Sequence, residues 1–241
     1  MSVVSDFWER ALHLLSVPKC VLCGEPLDFP SRALCPVCFS KYENTKDRNC
    51  PKCARQLCQC DCSTKFLKSH CVKRLIKVCR YVGSDENLAA NSLIYSLKKD
   101  NRNDVAKLLS EELATAISAS VKDPASYIFT NVPRRQKAIV VYGIDHSAIL
   151  AKAIAKRFDA EYMPLLKSRA SRPQKEMQGR DRLKNAEVTP RRDINLSGKR
   201  IILIDDIVTT GASMAVSAMA LRGMGAKEVV GATVAIAYKK D

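Results

Sequence analysis

The chain has 241 residues, 46% of them hydrophobic, and its 40 lysines and arginines against 25 acidic residues give a formal net charge of +15. That length can bury one sizeable core plus a smaller module. The longest apolar runs, such as Ile201–Ile204 and Ala138–Tyr142, are far shorter than the roughly 20 residues that a transmembrane helix needs. The composition therefore excludes a membrane-spanning protein and predicts a soluble globular one.

The first predicted element is a short helix in the N-terminal stretch SVVSDFWERALHLL. Its apolar residues share one helical face: Phe7, Trp8, Ala11, Leu12 and Leu15. Charged residues interrupt the stretch, and no apolar region typical of a signal peptide follows it. We interpret it as a docking helix in a cytoplasmic protein. The alternative is a helix on a membrane surface, although its polar face is not rich in lysine.

Cysteine marks the next segment, because all eleven cysteines lie between Cys20 and Cys79. Two thiolates separated by two residues can hold one tetrahedral zinc ion from a single tight turn, and two such turns complete a closed structural site. A disulfide framework is the alternative, but it needs an oxidising compartment, against which the missing signal peptide argues. The sequence therefore predicts a first zinc site formed by Cys20, Cys23, Cys35 and Cys38.

A second zinc site is predicted at Cys50 and Cys53, followed by three cysteines of which only two can complete a tetrahedron. We favour Cys58 and Cys62, because their spacing falls within the usual range. Cys60 and Cys62 would form a tighter and less common chelate. Cys60 could still take either place.

Cys71 and Cys79 belong to the alternating run CVKRLIKVCRYV, which predicts half-buried strand positions rather than metal ligands. The segment before this run carries too little apolar material to fold alone, so metal must supply much of its folding free energy. We therefore expect two domains. Residues 1–70, the head, form the N-terminal helix and a double zinc ribbon, and residues 71–241 form the body.

In the body, helical and strand patterns alternate. The periodicity predicts helices at 85–99, 104–119, 145–158 and 212–225, and strands at 127–131, 200–204 and 228–235. Such alternation is typical of an α/β fold with a parallel sheet, in which ligands bind beyond the carboxyl ends of the strands.

The stretch IILIDDIVTTGAS, residues 201–213, combines a buried strand with two carboxylates and a run of small residues. We expect the strand to deliver Asp205 and Asp206 to the ligand-binding edge, where ribose hydroxyls or a magnesium ion suit them. The small residues that open the next helix leave backbone N–H groups accessible to a phosphate, and they are Thr209, Thr210, Gly211, Ala212 and Ser213. The alternative is a helix cap beside a solvated strand end.

These residues resemble the phosphoribosyl-pyrophosphate motif of the type I phosphoribosyltransferases. With the cysteine-rich head, the whole chain resembles the ComF family, which joins a double zinc ribbon to a phosphoribosyltransferase-like domain. The resemblance implies that Asp205 and Asp206 are catalytic and face the ribose hydroxyls, and that residues 209–213 hold the 5′-phosphate. It also implies Mg²⁺ as the cofactor that accompanies phosphoribosyl pyrophosphate.

Other stretches of the body resemble the same family. The resemblance implies a pyrophosphate-binding loop with Pro133, Arg134, Arg135 and Lys137. The stretch 169–185 is similar to a family segment through Arg172, Gln174, Arg182 and Asn185. One segment departs, because family members read Arg-Gly-Phe-Asn-Gln where this chain has YGIDH at 142–146.

Three functions follow as hypotheses. The favoured one is a phosphoribosyltransferase whose acceptor the sequence does not indicate. The second is single-stranded DNA binding in competence or DNA uptake, with competence or DNA-processing proteins as partners, because residues 134–200 hold 17 lysines and arginines against 7 acids. The third is a non-catalytic sensor of a ribose phosphate, which the YGIDH departure favours.

Overall fold

Four parallel strands form the central sheet, in the order β1-β6-β5-β2. The computed structural model describes residues 18–27, 33–46, 49–50, 52–81, 89–134, 139–140, 143–168 and 188–237. The strands are β1 (Leu75–Tyr81), β2 (Tyr127–Asn131), β3 (Leu166–Ser168), β4 (Val188–Pro190), β5 (Arg200–Val208) and β6 (Glu228–Ala237), of which β3 and β4 form a separate antiparallel pair. The helices are α1 (Pro36–Lys46), α2 (Lys65–Ser69), α3 (Ala89–Lys99), α4 (Asn103–Ser120), α5 (His146–Arg157) and α6 (Ala212–Gly223).

Both faces of the sheet are covered, as a parallel sheet requires. Along β5, Ile202 and Ile204 join an apolar cluster that includes α4 and α5, while Ile201 and Leu203 join a second cluster with α6. Successive side chains of a strand point to opposite faces, so the run of four apolar residues supplies both clusters equally. Among the described residues, no helix is both long enough and apolar enough to cross a membrane.

The body confirms the predicted α/β fold with a parallel sheet. Strand β2 has the predicted bounds, and α5 begins one residue after the predicted start because Asp145 is its N-cap. Strand β5 corrects the sequence analysis, which ended it at residue 204. It continues to Val208 because β6 keeps pairing with it as far as Ile236. The two aspartates therefore lie within the strand and not beyond it.

The two cysteines predicted as half-buried strand residues have other environments. Cys79 lies in β1 and is fully buried, since that strand is covered on both faces. Cys71 is exposed in the turn that precedes β1, with a left-handed φ of 69°. The prediction was wrong for Cys71 because the strand begins only at Leu75.

Several predicted residues lie outside the described part of the chain. They are Phe7, Trp8, Ala11, Leu12 and Leu15 of the predicted N-terminal helix, Arg135 and Lys137 of the predicted pyrophosphate loop, and Arg172, Gln174, Arg182 and Asn185.

Candidate metal centres and candidate active site

The first four predicted cysteines come together. The Sγ atoms of Cys20, Cys23, Cys35 and Cys38 all lie within 4.8 Å of one another. The first pair sits in a turn, the third precedes α1, and the fourth lies in its first turn. Burial opposes ionisation of Cys20, but backbone N–H groups, first that of Cys23, outweigh it and lower its pKa to about 6. Four converging sulfurs, one of them readily ionised, fit a closed structural zinc site.

The second set contains Cys60 in the place predicted for Cys58. The Sγ atoms within 4.8 Å of one another belong to Cys50, Cys53, Cys60 and Cys62, whereas the side chain of Cys58 lies outside the described residues. Cys60 follows a single 3₁₀ turn and has an extended backbone, with φ −104° and ψ 126°. In an extended chain, residues two apart point to the same side, so the short spacing to Cys62 becomes suitable for chelation.

A buried lysine of the body faces this second set. Lys77 of β1 is 0% exposed, and its Nζ lies 2.8 Å from the carbonyl of Cys60, 3.0 Å from that of Cys62 and 3.3 Å from the Cys60 Sγ. Among the described residues, no carboxylate forms a salt bridge with it. A buried cation needs a negative partner, and four thiolates around one zinc ion carry a net charge of about −2. Lys77 therefore fits a metal-loaded second set.

At the carboxyl end of the sheet, Asp205 and Asp206 have different partners. Asp205 Oδ1 accepts hydrogen bonds from Ser147 Oγ at 3.1 Å and from the backbone N–H of Asp206 at 3.0 Å. Asp206 Oδ2 pairs with Lys98 Nζ, at the end of α3, at 3.0 Å. Burial, and then the charge of Asp206, raise the pKa of Asp205 well above its usual range. The two acids therefore have different environments: burial disfavours the charged form of Asp205, whereas Lys98 gives Asp206 a cationic partner.

The predicted phosphate loop follows β5 directly. Gly211 is the N-cap of α6 and has a left-handed φ of 83°, and Thr210 Oγ1 accepts from the N–H of Ala212 at 3.3 Å. A Cβ on Gly211 would lie 2.7–3.0 Å from side-chain carbons of Leu67 in α2. Glycine is therefore required here both for its backbone conformation and for its contact with the segment that follows the second cysteine set.

A buried polar network lies beside the aspartates. Pro133 and Arg134 follow β2, and Arg134 Nη1 lies 2.6 Å from Nδ1 of His146, the first residue of α5. Nε2 of His146 lies 2.8 Å from Asn101 Oδ1, and Asp145 Oδ2 accepts from Asn131 Nδ2 at 3.1 Å. The next residue of α5, Ser147, contacts Asp205, so one helix start joins the arginine to the acidic pair.

The structure thus brings together the predicted residues 133, 134, 205, 206 and 209–213 at one edge of the sheet. Sequence reasoning missed Lys98, Asn101, His146 and Ser147. No local pattern indicates these four, because α3, the turn that follows it and α5 contribute them only once the helices are packed against the sheet. In the sequence, the YGIDH departure from the family pattern was the one signal that could have identified His146.

Comparisons with known proteins agree with this architecture. Residues 110–241 match the phosphoribosyl transferase domain family. The DNA utilization protein YhgH of Escherichia coli is 26% identical over 226 residues, covering 90% of this chain and 96% of that protein. The competence protein ComFC of Streptococcus pneumoniae is 28% identical over 238 residues, covering 88% and 96%.

Among solved structures, a purine phosphoribosyltransferase from Pyrococcus horikoshii matches with a TM-score of 0.36 at 15% identity, covering 54% of this chain and 73% of that one. The family match spans more than half of the chain, and the two relatives span nearly all of it. The chain therefore belongs to the phosphoribosyl transferase domain family and, with its cysteine-rich head, to the ComF family.

Proposed function

We propose that the protein binds phosphoribosyl pyrophosphate with Mg²⁺ and transfers its ribosyl phosphate to an acceptor. The observation that carries the proposal is the juxtaposition of Asp205 and Asp206 with the loop at Gly211. The left-handed glycine places no side chain at the start of α6, a helix of 12 residues, where the partial positive charge favours a phosphate. Asp205 and Asp206 lie in β5 just before this loop, and their side-chain oxygens are suited to ribose hydroxyls.

The pyrophosphate side of the proposed site contains Pro133 and Arg134, continued by the predicted Arg135 and Lys137. As pyrophosphate leaves, negative charge accumulates on it, and the Arg134 guanidinium is a bidentate donor suited to neutralising that charge. Carboxylate oxygens such as those of Asp206 are ligands that Mg²⁺ accepts, and the ion bound with the substrate would neutralise phosphate charge. Lys98 lies 3.0 Å from Asp206 and supplies a countercharge to it.

The test is calorimetric titration with phosphoribosyl pyrophosphate, ribose 5-phosphate and inorganic phosphate, each with magnesium. Replacing both acids, Asp205→Asn with Asp206→Asn, should weaken the two ribose ligands by about ten- to hundredfold, because each change replaces one acceptor oxygen by an amide donor. Inorganic phosphate, which has no ribose, should bind almost as before. The exposed Asp123→Asn is a matched control that should change nothing. Failure of the intact protein to bind phosphoribosyl pyrophosphate would refute the proposal.

A second candidate function is binding of single-stranded DNA. Two observations favour it: the relatives carry the names DNA utilization protein and competence protein, and this chain has a net charge of +15. Contacts of lysine and arginine with the phosphate backbone of the DNA would dominate, so the affinity for DNA should fall steeply as the salt concentration rises. Fluorescence anisotropy over a salt series tests this, and phosphoribosyl pyrophosphate added as competitor would show whether both ligands use one surface. A salt-independent affinity would contradict it.

The proposed setting is the cytoplasm, with competence or DNA-processing proteins as partners. Eight cysteines arranged as two metal-binding sets are suited to a reducing compartment. A non-catalytic sensor remains distinguishable from the enzyme, because it would bind phosphoribosyl pyrophosphate without releasing pyrophosphate when candidate acceptors are added.

A further inference from the structure

His146 and Asp145 occupy the positions at which ComF sequences carry a different pair of residues, and both make hydrogen-bond contacts in the structure. His146 is 0% exposed, and each ring nitrogen has a polar partner. Nδ1 lies 2.6 Å from Arg134 Nη1, and Nε2 lies 2.8 Å from Asn101 Oδ1. A buried imidazole with two short contacts has one orientation only, so the guanidinium it meets is held as well.

The partners determine the protonation of the ring. Arginine has five N–H donors and no acceptor, so Nδ1 of His146 must accept. Nε2 must then carry the proton and donate to the Asn101 oxygen. This is the neutral imidazole, and it agrees with the pKa of His146, which burial and then the charge of Arg134 hold below its usual value.

Asp145 holds the other end of the same arginine. Its carboxylate accepts from the backbone N–H of Arg134, from the N–H of Ala148 at 3.2 Å and from Asn131 at 3.1 Å. Asn131 is in turn fixed by the hydroxyl of Tyr162 at 2.9 Å. Backbone and guanidinium of Arg134 are therefore attached to the first two residues of one helix start.

We infer that His146 and Asp145 are positioning residues that hold Arg134 toward the pyrophosphate moiety of the substrate. The inference rests on the proposed function, and it gives the YGIDH departure a role in ligand binding. A free arginine side chain has many rotamers, and ordering it before the ligand arrives removes that entropic cost from binding. Because Ser147 contacts Asp205, the same helix start sets the distance between the pyrophosphate and ribose halves of the site.

Three variants separate the two contacts of the ring. His146→Leu removes both. His146→Asn places an amide oxygen near the position of Nδ1 and keeps an acceptor for Arg134. His146→Gln reaches further and keeps a donor for Asn101. Thermal unfolding of each variant establishes that it is folded before its binding is measured.

The readout is a comparison of two partial ligands, each titrated with magnesium by calorimetry. Inorganic pyrophosphate should bind about tenfold more weakly to His146→Leu, because a charged contact is no longer ordered. Ribose 5-phosphate, which lacks the pyrophosphate, should bind within about twofold of the intact protein. His146→Asn should recover most of the pyrophosphate affinity, and His146→Gln should recover less.

A double-mutant cycle shows whether His146 acts through Arg134. In an Arg134→Gln background, the further change His146→Leu should have almost no effect on pyrophosphate, since the residue it positions is gone. Equal losses in both backgrounds would overturn the inference. So would a folded His146→Leu variant that binds pyrophosphate normally while the intact protein binds phosphoribosyl pyrophosphate. An intact protein that binds neither would refute the proposed function instead.

Nitrogen-15 NMR of histidine-labelled protein adds a readout that needs no ligand. The chain has only three histidines, so the His146→Gln variant assigns the signal. We expect a neutral ring protonated at Nε2 at neutral pH. A ring protonated at Nδ1, or on both nitrogens, would be incompatible with an acceptor for Arg134 and would overturn the inference without reference to the proposed function.

Discussion

The two cysteine sets meet the body by different means. Cys20 and Cys38 of the first set are buried in the same apolar cluster as Leu93 of α3. The second set has a cluster of its own, formed by Cys50, Leu57 and Cys60, and the buried ammonium of Lys77 joins it to the sheet.

The difference shows that a metal site can be attached to a domain either by burial of apolar surface or by a charged contact. An apolar contact is worth about 25 cal/mol for each Å² buried, and it does not depend on the charge of the sulfurs. A buried ammonium such as that of Lys77 is sensitive to the charge of the sulfurs, because a charge without a countercharge in the interior is costly. We therefore expect loss of metal to disturb the sheet more through the second set than through the first.

The largest expected effect distinguishes Cys60 from Cys58 as a ligand of the second set. Cys60→Ser should reduce the zinc content of purified protein from about two ions per chain to about one, because the second set loses a ligand that lies within 4.8 Å of the others. Structural zinc contributes roughly 10–16 kcal/mol of apparent binding free energy in small modules. Cys58→Ser is the matched control and should retain both ions. A reversed result would restore the ligand set first predicted from spacing.

The charge contact itself is tested by Lys77→Met, which matches the apolar part of the side chain and removes its ammonium. We expect a loss of about 3–5 kcal/mol in unfolding free energy, because one partner of a buried charged contact is left alone. Denaturant unfolding of zinc-loaded protein measures it. The exposed Lys73→Met on the same segment is the control and should cost little. A Lys77→Met variant as stable as the control would mean that the second set carries no negative charge.

The segment after the second set also reaches the candidate active site, through Leu67. Gly211→Ala should cost about 1–2 kcal/mol for its left-handed backbone, and more because its Cβ meets Leu67 at 2.7 Å. Phosphate affinity should fall with it. Adding Leu67→Ala removes the overlap, so the double variant should recover part of the phosphate affinity. If the second change recovers nothing, backbone strain alone explains the effect.

The smallest effect concerns Asp205, a half-buried acid whose partners differ from those of Lys77. Its pKa is raised by burial and by Asp206, so between the unfolded value, about 3.9, and its higher folded value the native state loses stability as pH rises. Asp205→Asn should therefore raise the melting temperature at neutral pH and give no difference below about pH 3.9. Scanning calorimetry across this range is the measurement. A variant less stable at neutral pH would show that the carboxylate is stabilised by its neighbours.

Much of the fold followed from the sequence, because the apolar runs of the body are regular. Strand β2 and the helices α4 and α5 were predicted to within a residue or so at their ends. The end of β5 was not, since two aspartates normally end a buried strand. Here Thr233 of β6 lies opposite Asp205 and donates to the carbonyl of Asp206, so pairing continues past the acids.

The candidate site was predicted less completely, for a physical reason. Residues 205–213 are contiguous, so their chemistry can be read from one stretch. Lys98, Asn101 and His146 are brought in by separate elements, and their contacts depend on how helices pack. Lys77 is the residue least accessible to prediction. The alternating pattern of β1 suggests a lysine that faces solvent, whereas in the structure the second cysteine set covers it.

The position of β1 also sets an order of assembly. It lies at the edge of the sheet, and β6, from the far end of the described chain, is its neighbour, with Leu75 opposite Gly231. During synthesis the cysteines therefore emerge long before the strand that completes their support. Pairing so distant in sequence closes slowly, and an unpaired strand edge is prone to association with other chains. Early zinc binding by the head would keep that segment compact until β6 has been synthesised. The zinc supply during translation should therefore govern the yield of folded protein.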